Sequence, residues 1–215
     1  MKPKPRTKRA YNSSRRRDQA LQTQGQIVEA AHSLFITRGY AGATLDAIAQ
    51  QAGVSVETIY ATFGNKRAIL SKLFDVSLVG DDQPIPLLQR QGPQAVIHLN
   101  DQHQQIELFV NDIYEIMSRV APIFDIMRVA AKTEPDIAEM FQNMLNARVQ
   151  GMQAFVRALT KNGPLRAGLT ADKAAETIWT ITSSEVFILL NTNRNWSEQE
   201  YKRWLIDVLE KLLLP

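Results

Sequence analysis

Residues 44–63 read TLDAIAQQAGVSVETIYATF, and their spacing decides the fold. Thr44 is a good N-cap for a short helix whose apolar face is Leu45, Ile48 and Ala49. Gly53 ends that helix, and Ser55 caps a second one from Val56 to Thr62. The turn Ala52-Gly53-Val54 is too short for an antiparallel hairpin, so the two helices cross steeply. Ala49 is small where they approach, and Ile48, Val54 and Ile59 fill the angle between them. This is the spacing of a helix-turn-helix. The outer face of the second helix shows Val56, Glu57, Thr58, Tyr60, Ala61 and Thr62, groups short enough for a helix lying in a DNA major groove. An ordinary helical corner has the same spacing, and spacing alone leaves both readings open.

Outward from this segment the pattern is helical almost everywhere, which predicts an all-α protein of about nine helices, three of them short. A first helix is expected from about Asp18 to Arg38, with Ile27, Ala30, Ala31, Leu34 and Phe35 on one face and a stop at Gly39. A fourth is expected from Lys66 to about Leu78. Gly80, Pro84, Pro86, Gly92 and Pro93 crowd the next stretch, which reads as a loop with one turn near Ile85 to Gln89. A long periodic segment covers Asp101 to Lys132, where Pro122 is expected to kink or split the helix. Further helices are expected from Pro135 to about Lys161, from Thr170 to about Leu190, and from Glu198 to Leu214. Ser197 and Glu200 form a capping box for the last. Three parts result: a basic arm at 1–17, expected to be disordered, a small helical head at 18–70, and a larger helical domain at 71–215.

Composition narrows the function. The chain has 215 residues, 45% hydrophobic and 22% charged, a globular balance. It contains no cysteine, which excludes disulfides, thiol catalysis and Cys-ligated zinc and fits a reducing compartment. No apolar run approaches the roughly 20 residues that span a bilayer. The net charge of +3 hides an asymmetry. Residues 1–17 hold eight cations, among them Arg15, Arg16 and Arg17, and no acid. The remainder then carries 17 basic and 22 acidic residues. A basic arm on an acidic body reads first as a polyanion contact, and otherwise as a solubilising tail. A transit peptide fits less well, because Pro3 and Pro5 spoil an amphipathic helix.

Residues 21–75 resemble the N-terminal domain of the TetR family of bacterial transcriptional regulators. The matching residues are Ile27, Ala30, Ala31, Leu34, Phe35, Gly39, Tyr40, Thr44, Ile48, Ala49, Ala52, Gly53, Val54, Ser55, Thr58, Ile59, Tyr60, Phe63, Lys66 and Leu70, in register. The rest of the chain matches only the family's helical layout. The resemblance implies that Thr44, Thr58, Tyr60 and Lys66 meet DNA phosphates, and that Val56 and Glu57 reach base edges. Glu57 would accept from a cytosine amino group and Val56 would pack on a thymine methyl. Ser55 and Ala61 complete the implied contact surface. Where many family members carry an aromatic residue or histidine, this chain has Ala61 and Thr62, which shifts phosphate contact onto the arm. Residues 18–70 carry Arg38, Lys66 and Arg67 against Asp18, Glu29, Asp46 and Glu57, a net of −1, which strengthens the DNA reading of the arm.

In the larger domain, Met117, Met127, Met140, Met144 and Met152 are interleaved with Phe109, Phe124, Phe141 and Phe155. Such residues are ordinary core or the lining of a malleable apolar pocket. The resemblance favours a pocket for a small-molecule effector, with Phe109, Ile113, Met117, Phe124, Met127, Met144 and Trp179 as lining residues and Tyr114, Arg128 and Asn143 as polar contacts. The last two helices are apolar on more than one face, from Ile178 and Phe187 to Leu205 and Leu213. The resemblance makes this a four-helix homodimer interface, with Phe187 or Leu205 in it, presenting two reading helices to a pseudo-palindromic double-stranded operator.

Catalysis finds no footing. His32, His98 and His103 lack metal-site spacing, and neither a glycine-rich phosphate loop nor a nucleophile elbow is present, so no enzyme, metal or cofactor is expected. The expectation is a cytoplasmic, bacterial, dimeric repressor released from its operator by a small apolar or amphipathic ligand. The alternatives are a DNA-binding factor without ligand control, which predicts a tightly packed larger domain, and a helical small-molecule carrier with a vestigial helix-turn-helix.

Overall fold

In the first helix, α1 (Ser13–Gly42), Ile27, Ala30, Ala31, Leu34 and Phe35 all face inward, as their spacing requires. The computed structural model describes residues 13–81 and 83–215. The basic arm at residues 1–12 lies outside the described residues, but Arg15, Arg16 and Arg17 do not belong to a disordered arm. They are exposed on the opening turns of α1, which begins five residues before the expected Asp18. Gly39 interrupts the helix with φ 68° and ψ 174°, a backbone open to glycine at no steric cost.

Three helices complete the head. α2 (Leu45–Ala52) is capped by the Thr44 hydroxyl, which accepts from the Ala47 N–H at 3.1 Å. α3 (Val56–Phe63) is capped by Ser55, which accepts from the Thr58 N–H at 3.2 Å. α4 (Lys66–Val79) is capped by Asn65, which accepts from the Ala68 N–H at 2.8 Å. Ile48 and Ile59 are fully buried between α2 and α3, and Val54 packs at their edge.

The segment read as a loop holds more structure than expected. A 3₁₀ turn, Leu87–Gln89, leads into α5 (Gln91–His98), which the glycine and proline at 92 and 93 had concealed. Proline in a first turn gives up no helix hydrogen bond, and Val96 anchors the helix in the core. The preceding loop is stapled by Arg90, whose guanidinium meets Asp81 bidentately at 2.6 and 2.8 Å and reaches the carbonyls of Ile85 and Gln83.

The larger domain is built on α6 (Gln102–Ala130) and α7 (Pro135–Leu159), antiparallel through Phe124 against Phe141 and Phe109 stacked on Phe155 at 4.1 Å. Pro122 does not split α6. It removes one N–H, but Val120, Ala121, Ile123 and Phe124 around it are buried, and their packing carries the helix through. The helix expected from Thr170 to Leu190 is broken. α8 (Ala171–Ile181) ends where the Thr182 hydroxyl donates to the Ile178 carbonyl, and extended Ser183 caps the one-turn α9 (Ser184–Phe187). A π-helical stretch, Ile188–Asn193, follows. α10 (Glu198–Leu213) begins at the expected capping box and buries Tyr201, Leu205, Leu209 and Leu213. Among the described residues there is no strand, and no helix is long and apolar enough to cross a membrane.

Candidate nucleic-acid interface and effector cavity

The turn before α3 is fixed by backbone chemistry. Gly53 is left-handed at φ 68°, and the Val54 N–H bonds back to the Ala49 carbonyl at 3.0 Å, closing the end of α2. With Ile59 buried, the opposite side of α3 must face out. Tyr60 is 56% exposed, and Glu57, Ala61 and Thr62 are exposed with it. The Ser55 hydroxyl lies 3.1 Å from that of Thr58, and Thr62 donates to the Thr58 carbonyl at 2.7 Å. Hydrogen bonds from its own backbone N–H and from Ser55 hold the Glu57 carboxyl below the usual carboxylate range. Glu57 is therefore an acceptor only, and it must leave the helix terminus to meet a cytosine.

Thr44, at the N-terminus of α2, is exposed, and so are Ser55, Glu57, Tyr60 and Ala61 at the start and along the outer side of α3. Two expected contacts sit differently. Val56 is half-buried against the head's own core, which shortens its reach towards a base. The Lys66 ammonium donates to the Tyr40 carbonyl at 2.7 Å and lies 4.2 Å above the Tyr40 ring. Burial lowers its pKa, with Glu134 opposing. Lys66 holds the corner at 39–42 rather than facing outward. Thr58 is half-buried and turns its hydroxyl to Ser55.

Behind the head, a cavity of about 1030 Å³ is walled by α4, α6, α7 and the 3₁₀ turn. Ile113, Met117, Phe124 and Met144 line it as expected, and Asn143 supplies a polar group. Phe109, Met127 and Trp179 do not. Phe109 is stacked on Phe155, Met127 is wholly buried in the core, and Trp179 lines a separate cavity of about 280 Å³ with Phe141 and Leu145. Tyr114 and Arg128 also lie elsewhere. Tyr114 packs on Phe187 and Tyr201, while Arg128 pairs with Asp125 and Glu185. The α4 wall, with Phe74 and Asp75, escaped the sequence reading, although Ala68, Ser71, Asp75 and Leu78 recur at helical spacing. Phe187 and Leu205, expected at a subunit interface, are 7% and 0% exposed within one chain and leave little surface for a partner. Both are spent on the protomer's own core, where Phe187 meets Tyr201.

An all-α protein with a helix-turn-helix head and an effector-sized cavity is the class these features define. The sequence profile of the family described as bacterial regulatory proteins, tetR family, matches residues 27–73, the helix-turn-helix head of this chain. The HTH-type transcriptional regulator TtgR of Pseudomonas putida is 43% identical over 61 residues, 28% of this chain and 29% of that regulator. The matched segment thus spans less than a third of that relative's length. Among solved structures, NalD, the secondary repressor of the MexAB-OprM multidrug efflux pump in Pseudomonas aeruginosa, superposes with a TM-score of 0.67 at 18% identity, covering 92% of this chain and 98% of that one. A protein from Saccharomonospora viridis in complex with choline superposes with a TM-score of 0.68 at 18% identity, over 91% and 99% of the two chains.

Proposed function

We propose that this protein is a dimeric transcriptional regulator, most simply a repressor, that reads double-stranded DNA with α3 and leaves its operator when a small molecule fills the cavity. The observation that carries this reading is the exposed outer face of α3, which follows α2 across the Gly53 turn of a helix-turn-helix. The cavity counts against a factor without ligand control, since that alternative calls for a packed larger domain. The structures of NalD and of the choline complex share the fold, and one of them holds a small molecule. Selection from random DNA by the purified protein tests the proposal. Enrichment of an inverted repeat supports it, and retention of no sequence favours a carrier.

Two substitutions separate positioning from reading. Tyr60 is 56% exposed, which leaves its hydroxyl within reach of a phosphate. Tyr60→Phe is expected to weaken all sequences alike, whereas Glu57→Ala relaxes preference at one base pair by about 1–3 kcal/mol. Binding arrays on a set of single-base operator variants distinguish the two patterns.

The dimer requires a face other than Phe187 and Leu205. On α10, Trp204, Val208 and Leu212 form a half-buried apolar stripe beside the buried one, and Leu189 is 54% exposed. Sedimentation is expected to give about 49 kDa, twice the chain mass of 24.3 kDa, and Val208→Asp to give the monomer. A wild-type monomer at micromolar concentration would remove the interface.

A further inference from the structure

The main cavity and the small one meet at two shared side chains, Phe124 and Arg148. Arg148 is the unusual one. One guanidinium nitrogen donates to the Thr182 hydroxyl at 2.6 Å, and the plane lies 5.5 Å from the Trp179 ring. Its Nε is buried without an acceptor, and so is the indole Nε1 of Trp179 beside it. The nearby Tyr201 hydroxyl is also buried without a partner. Glu185 lies within electrostatic reach, but its carboxylate is engaged by Arg128 at 2.7 Å and by the Ser184 hydroxyl. Unpaired donors on a buried cation carry an uncompensated desolvation cost, which an anion accepting from them would offset.

We propose that the effector is a carboxylate-bearing amphiphile whose anionic head pairs with Arg148 and the Trp179 indole N–H, and whose hydrocarbon tail lies along Met117, Phe124 and Met144. The proposal rests on the ligand-binding reading above and adds the chemical class of the ligand. A guanidinium presents a planar fork that matches a carboxylate, and the methionines offer a tail a surface that adapts to its shape.

The cavity also holds acids, and their placement decides the sign. Asp136 is paired with Arg67 at 3.4 Å, and Glu139 lies nine residues along α7 from Arg148, roughly 14 Å at the helical rise. Asp75 faces the same space from α4, where burial raises its carboxyl above the usual range and Lys72 opposes the shift. A raised carboxyl can discharge itself by taking a proton. Arg148, although burial pulls it down to about 10, stays charged at neutral pH, and only a counter-anion can answer it.

The test uses three probes with one tail and three heads: decanoate, decan-1-ol and decyltrimethylammonium. Each is titrated into the full-length protein without DNA, followed by calorimetry and tryptophan fluorescence. Decanoate is expected to bind about tenfold or more tighter than decanol. Arg148→Met is expected to erase that difference while leaving decanol binding in place, and Arg148→Lys to restore part of it. Equal binding of decanoate and decanol to the wild type overturns the proposal, and so does tightest binding of the quaternary ammonium, which would move the anchor to Asp75. The wild-type comparison stands even if the variants fail to fold. A separate mobility shift keeps the two readings apart: decanoate that binds the free protein yet leaves the operator complex intact counts against the regulatory reading and not against the ligand class.

Discussion

Deleting residues 2–12 flattens the dependence of log affinity on log salt concentration by about three to four units and leaves base preference unchanged. The deleted stretch carries Lys2, Lys4, Arg6, Lys8 and Arg9, and it stops short of α1, so the helix that begins at Ser13 keeps its opening turns. Residues 18–70 sum to −1, which leaves the head poorly charged for a polyanion. If two of the five cations reach phosphates in each subunit, a dimer releases about four counterions at roughly −0.9 each. Specific and non-specific duplexes lose affinity together, because phosphate contacts carry no sequence information. Anisotropy titrations over a salt series, with both proteins on the same duplex, measure the two slopes. Parallel lines would make the arm a solubilising tail and pass the electrostatic role to Arg15, Arg16 and Arg17 on α1.

Phe35→Ala destabilises the head by about 3–5 kcal/mol. Phe35 is fully buried and stacks on Tyr40 at 5.6 Å, and the Tyr40 carbonyl receives the Lys66 ammonium at 2.7 Å. Removing the ring empties the space beneath Tyr40 and loosens the strap that ties the end of α1 to the start of α4. Urea denaturation monitors the loss. The neighbouring Ile36→Ala, at a residue 49% exposed, is the control and changes stability by about 0.5 kcal/mol or less.

What could be read in advance follows the range of the forces involved. Thr44, Ser55 and the Ser197–Glu200 box announce helix starts because a cap acts within three residues. The stripe from Ile27 to Phe35 shows its face because helical periodicity is local. α5 stayed hidden because its support comes from afar. The Gln105 amide donates to the Val96 carbonyl, and the Asp112 carboxylate lies where a Cβ at residue 92 would stand, so a larger residue there would have to push it aside. The break at Thr182 and Ser183 turns on the Ser183 hydroxyl, which accepts from the Val186 N–H and offers the backbone a local alternative to helix propagation. Lys66 has the right position for a phosphate contact, yet a carbonyl 26 residues earlier takes its charge. The lining of the cavity was half legible, since methionine and phenylalanine spacing identifies α6 and α7 but cannot say which buried face borders empty space.

The ion pair between Arg67 and Asp136 joins the first turn of α4 to the first turn of α7, and both residues also border the cavity. If the protein is the ligand-released regulator proposed above, operator and effector are two ligands of one joint, and neither is privileged. If an effector weakens operator binding by a given factor, a saturating operator must weaken effector binding by that same factor. In a cell, a promoter-bound molecule would sense the effector less keenly than one free in solution, and the dose at which a gene responds would depend on how many operator copies compete for the protein.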